Sequence, residues 1–417
     1  MLKLPTENTL DREEKIMVEW IDVLLSDILM DKGYIRGPFG SALKRGDMKE
    51  DGIPVYEQQH AIYNSRDFRY YIDEQKFNEM KRFQVKKDDL IISCSGTVGK
   101  VSIIKDDDPK GIISQALLLL RADTNKVLPL YLKYFFSSRE GYSAIVSRSS
   151  GSVQVNIAKR SVIEQIPLKL PQIKTQRKIV GVLSSIDEKI KENERINNNL
   201  LEQVLAIYRH RFVDTTNELR QTCRADEYFD ISIGKTPPRK EPQWFSTNPK
   251  DVTWVSISDM GTCGLYISES SEQLTREAVV RHNVKIVPDN TVLLSFKLTV
   301  GRIAITDGEM TTNEAIAHFK TDKKEINEYL YCYLKCFNFQ TMGSTSSIAT
   351  AVNSKIIKGM PFVVPTNDEL EEFHGFAAPM FAKIKANQIE TDNLTALRDT
   401  LLPKLMSGEL DVSDIDI

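Results

Sequence analysis

The chain has 417 residues, a net charge of −3, 41% hydrophobic and 27% charged residues, and five cysteines. That length suits two domains with connectors better than one core, and the composition is ordinary for a soluble protein. Three features exclude classes: no run of about 18 apolar residues suits a membrane span, the polar start Met1–Glu14 lacks the apolar core of a secretory signal, and Cys94, Cys223, Cys263, Cys332 and Cys336 form no C-x-x-C pair, which suits reduced thiols in a cytoplasm.

In chain order, the apolar spacing of Ile16, Val18, Trp20, Ile21, Leu24, Leu25 and Ile28 predicts a short helix over 15–30. Gly33 to Gly46 reads as a loop. β-branched runs at 53–57, 90–94, 99–104 and 112–120 predict strands, then Pro129 to Ser138 a helix and Ser149 to Ser152 an exposed loop. A long helical stretch covers 172–213. The order then repeats: a loop with Gly234, Pro237 and Pro238, a strand at 252–257, a strand pair at 291–296 and 301–306, a helix at 326–338, a Gly/Ser/Thr loop at 343–350, and a long helix at 368–406. Equivalent elements in equivalent order indicate an internal duplication.

Residue-level echoes support the repeat. Ser93–Lys100 reads S-C-S-G-T-V-G-K and Ser295–Arg302 reads S-F-K-L-T-V-G-R. Pro167-Leu-Lys-Leu-Pro171 is answered by Pro361-Phe-Val-Val-Pro365, and an offset of 194 then aligns the two helices. Leu183, Ile186, Ile190, Asn193, Asn197, Leu200, Val204 and Ile207 follow the alternating three-and-four spacing of a coiled-coil seam, and so do Ala377, Met380, Ile384, Asn387, Thr391, Leu394, Arg398 and Leu401. Asn193 and Asn387 occupy the same seam position, where a polar residue fixes register at a cost in stability. The alternative is that each helix lies on its own domain with Asn at a wet edge. If the helices pair with the domains at opposite ends, connectivity makes them antiparallel.

Enzyme signatures are missing. Gly234-Lys235-Thr236 ends like a phosphate loop, but Phe229 stands where the first glycine belongs and two prolines follow. Neither G-x-G-x-x-G, nor an Asx-Pro-Pro-aromatic run, nor a zinc-like Cys/His set occurs, so neither a catalytic residue nor a metal is expected. The acidity is local: residues 366–417 hold 4 Lys+Arg against 11 Asp+Glu, which leaves basic faces elsewhere open to a polyanion.

The candidate contacts lie on paired loops. In the first half they are Lys44 and Arg45, then Gln58, Gln59 and His60 after a strand, Thr97 and Lys100 in the turn, and Arg148. In the second they are Lys235, Arg239 and Lys240, then Ser258 and Asp259, and Lys297, Thr299 and Arg302. Lysine and arginine on loops suit phosphates, whereas Gln, His, Ser and Asp at strand ends suit base edges. Solvated loops and plain hairpins are the competing readings.

With R-G-P-F-G-S-A-L-K at 36–44, G-K-T-P-P-R-K at 234–240, the paired T-V-G-[KR] turns, the two Pro-x-x-x-Pro exits and the ending L-L-P-K-L-M-S-G-E-L at 401–410, the chain resembles the specificity subunits of type I restriction–modification systems. The first helix departs from that ending, reading Ile207-Tyr208-Arg209. The resemblance implies an α+β fold with target-recognition domains at 1–170 and 216–365, spacer helices at 171–215 and 366–417 (the latter with the acidic tail), and an antiparallel two-helix coiled coil between the domains. It also implies double-stranded DNA read as a bipartite, asymmetric site, and two docked adenine methyltransferase subunits that carry S-adenosylmethionine. Restriction subunits would join them, and this chain would have no cofactor of its own. A stand-alone DNA-modifying enzyme and a protein-only scaffold are the rival readings.

Overall fold

The computed structural model describes residues 20–39, 42–149, 155–215, 217–342 and 352–415. The expected loops at 150–152 and 343–350, and Gly40-Ser41 of the first basic loop, lie outside these residues. The chain divides into two compact units, residues 1–188 with 395–417 and residues 189–394. Among the described residues no helix is long and apolar enough to cross a membrane.

The first unit is organised by an antiparallel sheet in the order Leu29–Arg36, Leu117–Ala122, Leu90–Ser93, Val101–Ile103. The two central strands are apolar at nearly every position because both faces are covered. Leu90, Ile92, Leu118 and Leu120 face the core that holds Tyr131, Leu132 and Phe135 of helix Pro129–Ser137. Ile91, Leu117 and Leu119 face a second core with Tyr56 and Ile113. There Ile53–Tyr56 forms a small sheet with Tyr71–Ile72 and Ile112–Ile113.

The second unit repeats this plan. Its sheet runs Asp230–Ile233, Ile316–Lys320, Val292–Ser295, Ile303–Thr306, with Tyr266–Ile267 added at the far edge. Val292 and Leu294 meet helix Asn327–Cys336 on one side, and Leu293 packs with Val255 and Met310 on the other. The smaller sheet holds Val252–Val255 and Thr311–Thr312 in parallel register, as Ile53–Tyr56 and Ile112–Ile113 are in the first unit. The other expected strands and the helices at 129–138 and 326–338 fall within a few residues of their predicted limits, but the expected strand at 112–120 divides into Ile112–Ile113 and Leu117–Ala122, which belong to different sheets.

The N-terminal segment differs. In place of a helix over 15–30, the described part is strand Trp20–Leu24, a 3₁₀ turn Leu25–Ile28, and strand Leu29–Arg36. Trp20–Leu24 pairs antiparallel with Pro167–Pro171, from Trp20 opposite Pro171 to Leu24 opposite Pro167. A strand partner distant in sequence overrides the local helical spacing. Strand Leu29–Arg36 also takes the first part of the expected Gly33–Gly46 loop. The second unit makes the same closure, with Gln221–Arg224 against Pro361–Val364. The Pro-x-x-x-Pro exits are therefore edge strands, where proline's missing N–H is tolerated.

The long helices are Ile173–Tyr208, continued by a π-helical turn Arg209–Val213, and Asn367–Ser407. Within the first unit, Ile179 and Leu183 share a core with Leu402, Leu405 and Met406, and Arg398 pairs with Asp187 at 3.2 Å. Within the second, Val204 and Tyr208 share a core with Phe373, Ala377, Phe381 and Ile384. Of the predicted seam, Leu183, Ile186, Ile190, Asn193, Ile384 and Asn387 are buried, whereas Leu200, Met380, Leu394 and Leu401 are half-buried. Phe381, one residue beyond Met380, is buried instead, its ring 5.6 Å from that of Tyr331 on the unit's own core helix. Helix Asn367–Ser407 thus covers its domain with one stripe while it meets the other long helix with another.

Candidate nucleic-acid interface

Two hairpin turns occupy equivalent places on the two sheets. In each, a serine at the end of the inner strand holds the returning strand. Ser93 Oγ accepts from the Lys100 N–H at 2.9 Å, and Ser295 Oγ from the Arg302 N–H at 3.0 Å. The Gly99 N–H donates to the Ser93 carbonyl at 2.9 Å, and the Gly301 N–H to the Ser295 carbonyl at 3.0 Å. Gly99 and Gly301 have φ of 87° and 92°, a region that L side chains rarely enter, so the glycine of T-V-G-[KR] is a conformational requirement. The repeated motif is therefore a braced turn whose tip, residues 96–97 in one copy and 297–299 in the other, is exposed while Cys94, Val98 and Phe296 pack inward.

The first turn presents Thr97 and Lys100 to solvent. The Lys100 ammonium lies 5.0 Å from the Tyr142 ring, and Tyr142 also packs against Gly99. Lys44 and Arg45 are exposed. Arg148 is half-buried, its guanidinium donating to the Ala144 carbonyl at 2.8 Å.

The residues after Ile53–Tyr56 are supports. Gln58 Oε1 accepts from the Ser95 N–H at 3.0 Å and so braces the turn from behind. Gln59 donates to the Asp67 carbonyl at 3.1 Å. His60 is fully buried, its ring nitrogens against Glu57 and the Asp67 carbonyl, which leaves neither nitrogen for a base edge. Burial holds its imidazole below the usual histidine range.

The second turn exposes Lys297, Leu298 and Thr299. Arg302 instead folds back: its guanidinium donates to the Ile257 carbonyl at 2.5 Å and lies where a Cβ on Gly261 would have to go. It lines a cleft of about 700 Å³ together with Cys263, Lys335 and Gln388. Asp259 is likewise inward. Its carboxylate accepts from Ser256 N–H and Oγ at 2.8 and 2.7 Å and from the Ser271 N–H at 3.0 Å. Burial pulls its acidity the other way, but these bonds hold it below the usual carboxylate range. Ser258 beside it is exposed.

The loop after Asp230–Ile233 reaches the same surface as the second turn. Lys235 Nζ donates to the His282 carbonyl at 2.6 Å. Arg239 lies over the rings of Phe245 and Trp254, 4.2 and 4.7 Å from their centroids, and pairs with Glu272 at 2.9 Å. Lys240 is exposed. Thr236 bonds Glu314, and although burial raises the Glu314 pKa, that hydroxyl and the charges of Lys297 and Arg239 hold it below the usual range. The charges of Lys297 and Arg239 thus both act on the Glu314 carboxylate.

Sequence reasoning therefore locates the turns and the basic loops. The structure turns His60, Asp259 and Arg302 inward and leaves Lys44, Arg45, Thr97, Lys100, Lys240, Ser258, Lys297 and Thr299 exposed, and it places Leu298, which is not among the expected contacts, at the tip of the second turn. An available signal for Leu298 is the repeat itself, which sets it opposite Gly96.

The family model for the type I restriction modification DNA specificity domain matches the chain twice, over residues 39–202 and 218–376. The HindI specificity subunit of Haemophilus influenzae, a type I restriction enzyme subunit, is 22% identical across 78% of this chain and 87% of its own length. The MjaIX specificity subunit of Methanocaldococcus jannaschii is 25% identical across 85% of this chain and 84% of its own. Among solved structures, the S subunit of a type I restriction–modification system from M. genitalium superposes with a TM-score of 0.56 at 15% identity, covering 94% of this chain and 98% of that one.

Proposed function

The chain belongs to the type I restriction modification DNA specificity family, matched over both halves, and on that premise we propose that each half reads one part of a bipartite, asymmetric DNA site. In this reading the chain is the non-catalytic recognition subunit. Its two long helices pair antiparallel as a spacer and dock two adenine methyltransferase subunits, with restriction subunits joining the assembly in the cytoplasm. The methyltransferase partner supplies S-adenosylmethionine and the transfer of its methyl group, and this chain supplies position.

The observation that carries the reading is a duplicated sheet with unequal turn tips. The serine-to-glycine brace is the same in both copies, whereas the tips read C-S-G-T and F-K-L-T. A common frame serves common partners, and unlike tips serve unlike half-sites. Lysines on the tips and loops supply phosphate contacts, which set position and salt dependence. Half-sites contacted from one face of the duplex lie about 10 bp apart, centre to centre.

Long-read sequencing that detects N6-methyladenine, in a host with and without this gene, tests the proposal. We expect a split, non-palindromic motif whose methylation requires the chain. Identical methylomes despite confirmed assembly with a methyltransferase would sink it.

A further inference from the structure

Leu298 is 100% exposed at the tip of the second turn, with φ of 60°. The Thr299 N–H donates to the Lys297 carbonyl at 2.7 Å, closing a three-residue turn centred on the leucine. With positive φ this is the rare and strained form of such a turn. The tip is held there from both sides, because Ser295 Oγ donates to the Thr299 carbonyl at 2.6 Å and the Gly301 N–H returns to the Ser295 carbonyl.

The first unit provides an internal control. Its equivalent residue is Gly96, with φ of 66°, and a Cβ added there would meet nothing within 4 Å. Both turns therefore demand the same backbone, which glycine adopts without strain. Among the described residues, the other non-glycine residues with positive φ are Lys32, Asn64, Asp88, Asn283 and Asn290. Four of these are Asn or Asp, which tolerate that region far better than leucine. Other apolar side chains are also exposed, Leu219 and Val280 among them, but neither has a positive φ. Among the described residues, Leu298 alone combines a strained backbone with an apolar side chain that packs on nothing. Such a combination marks a functional position.

We propose that Leu298 is a wedge that enters the base stack of the half-site read by the second unit. Apolar side chains of this kind slip between adjacent base pairs, partly unstack one step and bend the duplex there. The side chain leaves water only when the stack receives it. Exposed Lys297 and Thr299 on either side would meet the flanking backbone. The position adds discrimination by step deformability, since flexible steps open more easily than stiff ones. Gly96 gives the first unit no such wedge, so the two half-sites are read by different physics. The inference rests on the DNA-reading function proposed above.

The test uses the full chain assembled with its methyltransferase subunits. The probe is a duplex carrying the methylated motif, with 2-aminopurine placed in turn at each position of the second half-site. We expect one step to brighten on binding of the unaltered complex and to stay dark with Leu298→Gly. Affinity for the motif should fall about 10- to 100-fold with Leu298→Gly, while affinity for unrelated DNA and the melting temperature do not fall. Leu298→Met should keep most of the signal. Equal affinity and equal fluorescence for the unaltered and Leu298→Gly complexes would overturn the wedge, as would a defect confined to assembly with the methyltransferase, which would make Leu298 a protein contact. If the unaltered complex binds no DNA with sequence preference, the recognition function itself fails.

Discussion

The side-chain amide of Asn387 donates to the side-chain carbonyl of Asn197 at 2.8 Å, one residue from each long helix. Asn193, which shares the predicted seam position of Asn387, instead donates to Glu390 at 2.9 Å. Asn197 also reaches the Ile384 carbonyl at 3.3 Å. The asparagines thus form a staggered ladder, and a shift of either helix by one turn would strand a buried amide. Asn387→Ala is expected to destabilise the second unit by about 1–3 kcal/mol, because it leaves the Asn197 side-chain carbonyl without its donor. The double substitution Asn197→Leu with Asn387→Leu should be close to neutral, since both polar partners go together. Urea unfolding followed through Trp244 and Trp254 reads both, and additive effects of the single substitutions would refute the coupling.

Glu369 fastens the entry to the same unit. Its carboxylate takes charge-assisted bonds from Arg220, the nearest at 2.7 Å, and further bonds from Asn217 at 2.8 Å and the Thr366 N–H at 3.0 Å. Arg220 also holds the Arg211 carbonyl at 2.8 Å. The Arg220 pairing holds the Glu369 pKa down to about 2, from an ordinary 4.5. A carboxylate depressed in the folded state contributes stability above its unfolded pKa, and that stability is lost as pH falls from about 4.5 towards 2. Glu369→Gln should cost about 1–3 kcal/mol at pH 7 and flatten the unfolding profile across that window. An unchanged acid profile would show that the pairing is incidental.

His318 sets a second, separate window. It is fully buried, with Thr312 Oγ1 at 2.7 Å from one ring nitrogen and Ser232 Oγ at 3.0 Å from the other. Burial pushes its pKa down to about 3 from 6.5. The unfolded chain therefore binds the proton first. The stabilising contribution is complete above pH 6.5 and declines below it, at up to about 1.4 kcal/mol per pH unit. His318→Leu should remove that slope between pH 6.5 and 5, while lowering stability at pH 7.5 because two hydroxyls lose their partner. Thermal unfolding at several pH values, again read from Trp244 and Trp254, decides it.

Local pattern carried most of the fold. The apolar runs at 90–93 and 117–120 announce central strands because both faces are buried, and the repeat announces that the second half folds on the same plan as the first. Trp20–Leu24 was illegible because its partner, Pro167–Pro171, is distant and its own spacing mimics a helix. At the candidate interface three of the expected contacts turn inward for one reason. His60, Asp259 and Arg302 are polar residues near loop ends, yet each is satisfied by a carbonyl or N–H from a different segment: Asp67, Ser271 and Ile257. Leu298 carries no polar signal in the sequence, and only its backbone, with φ of 60°, shows that it is held outward.

Lys297 and Arg302 separate a contact from a support. They stand five residues apart in one turn, both basic, but Lys297 is exposed whereas the Arg302 guanidinium is tied to the Ile257 carbonyl beside Gly261. Lys297→Glu should leave folding unchanged, as surface substitutions do. In the assembled complex it should weaken DNA binding about 10-fold and reduce the slope of log K against log salt by about 1, with the loss confined to the half-site of this unit. Arg302→Glu replaces a donor with a carboxylate facing a carbonyl, and is expected to destabilise the unit by about 2 kcal/mol. Its DNA defect should then scale with the fraction unfolded and vanish at low temperature. A salt titration of affinity alongside a melting curve for each variant distinguishes the two. A full salt slope in Lys297→Glu would remove that lysine from the interface, and a stable but binding-deficient Arg302→Glu would return the arginine to it.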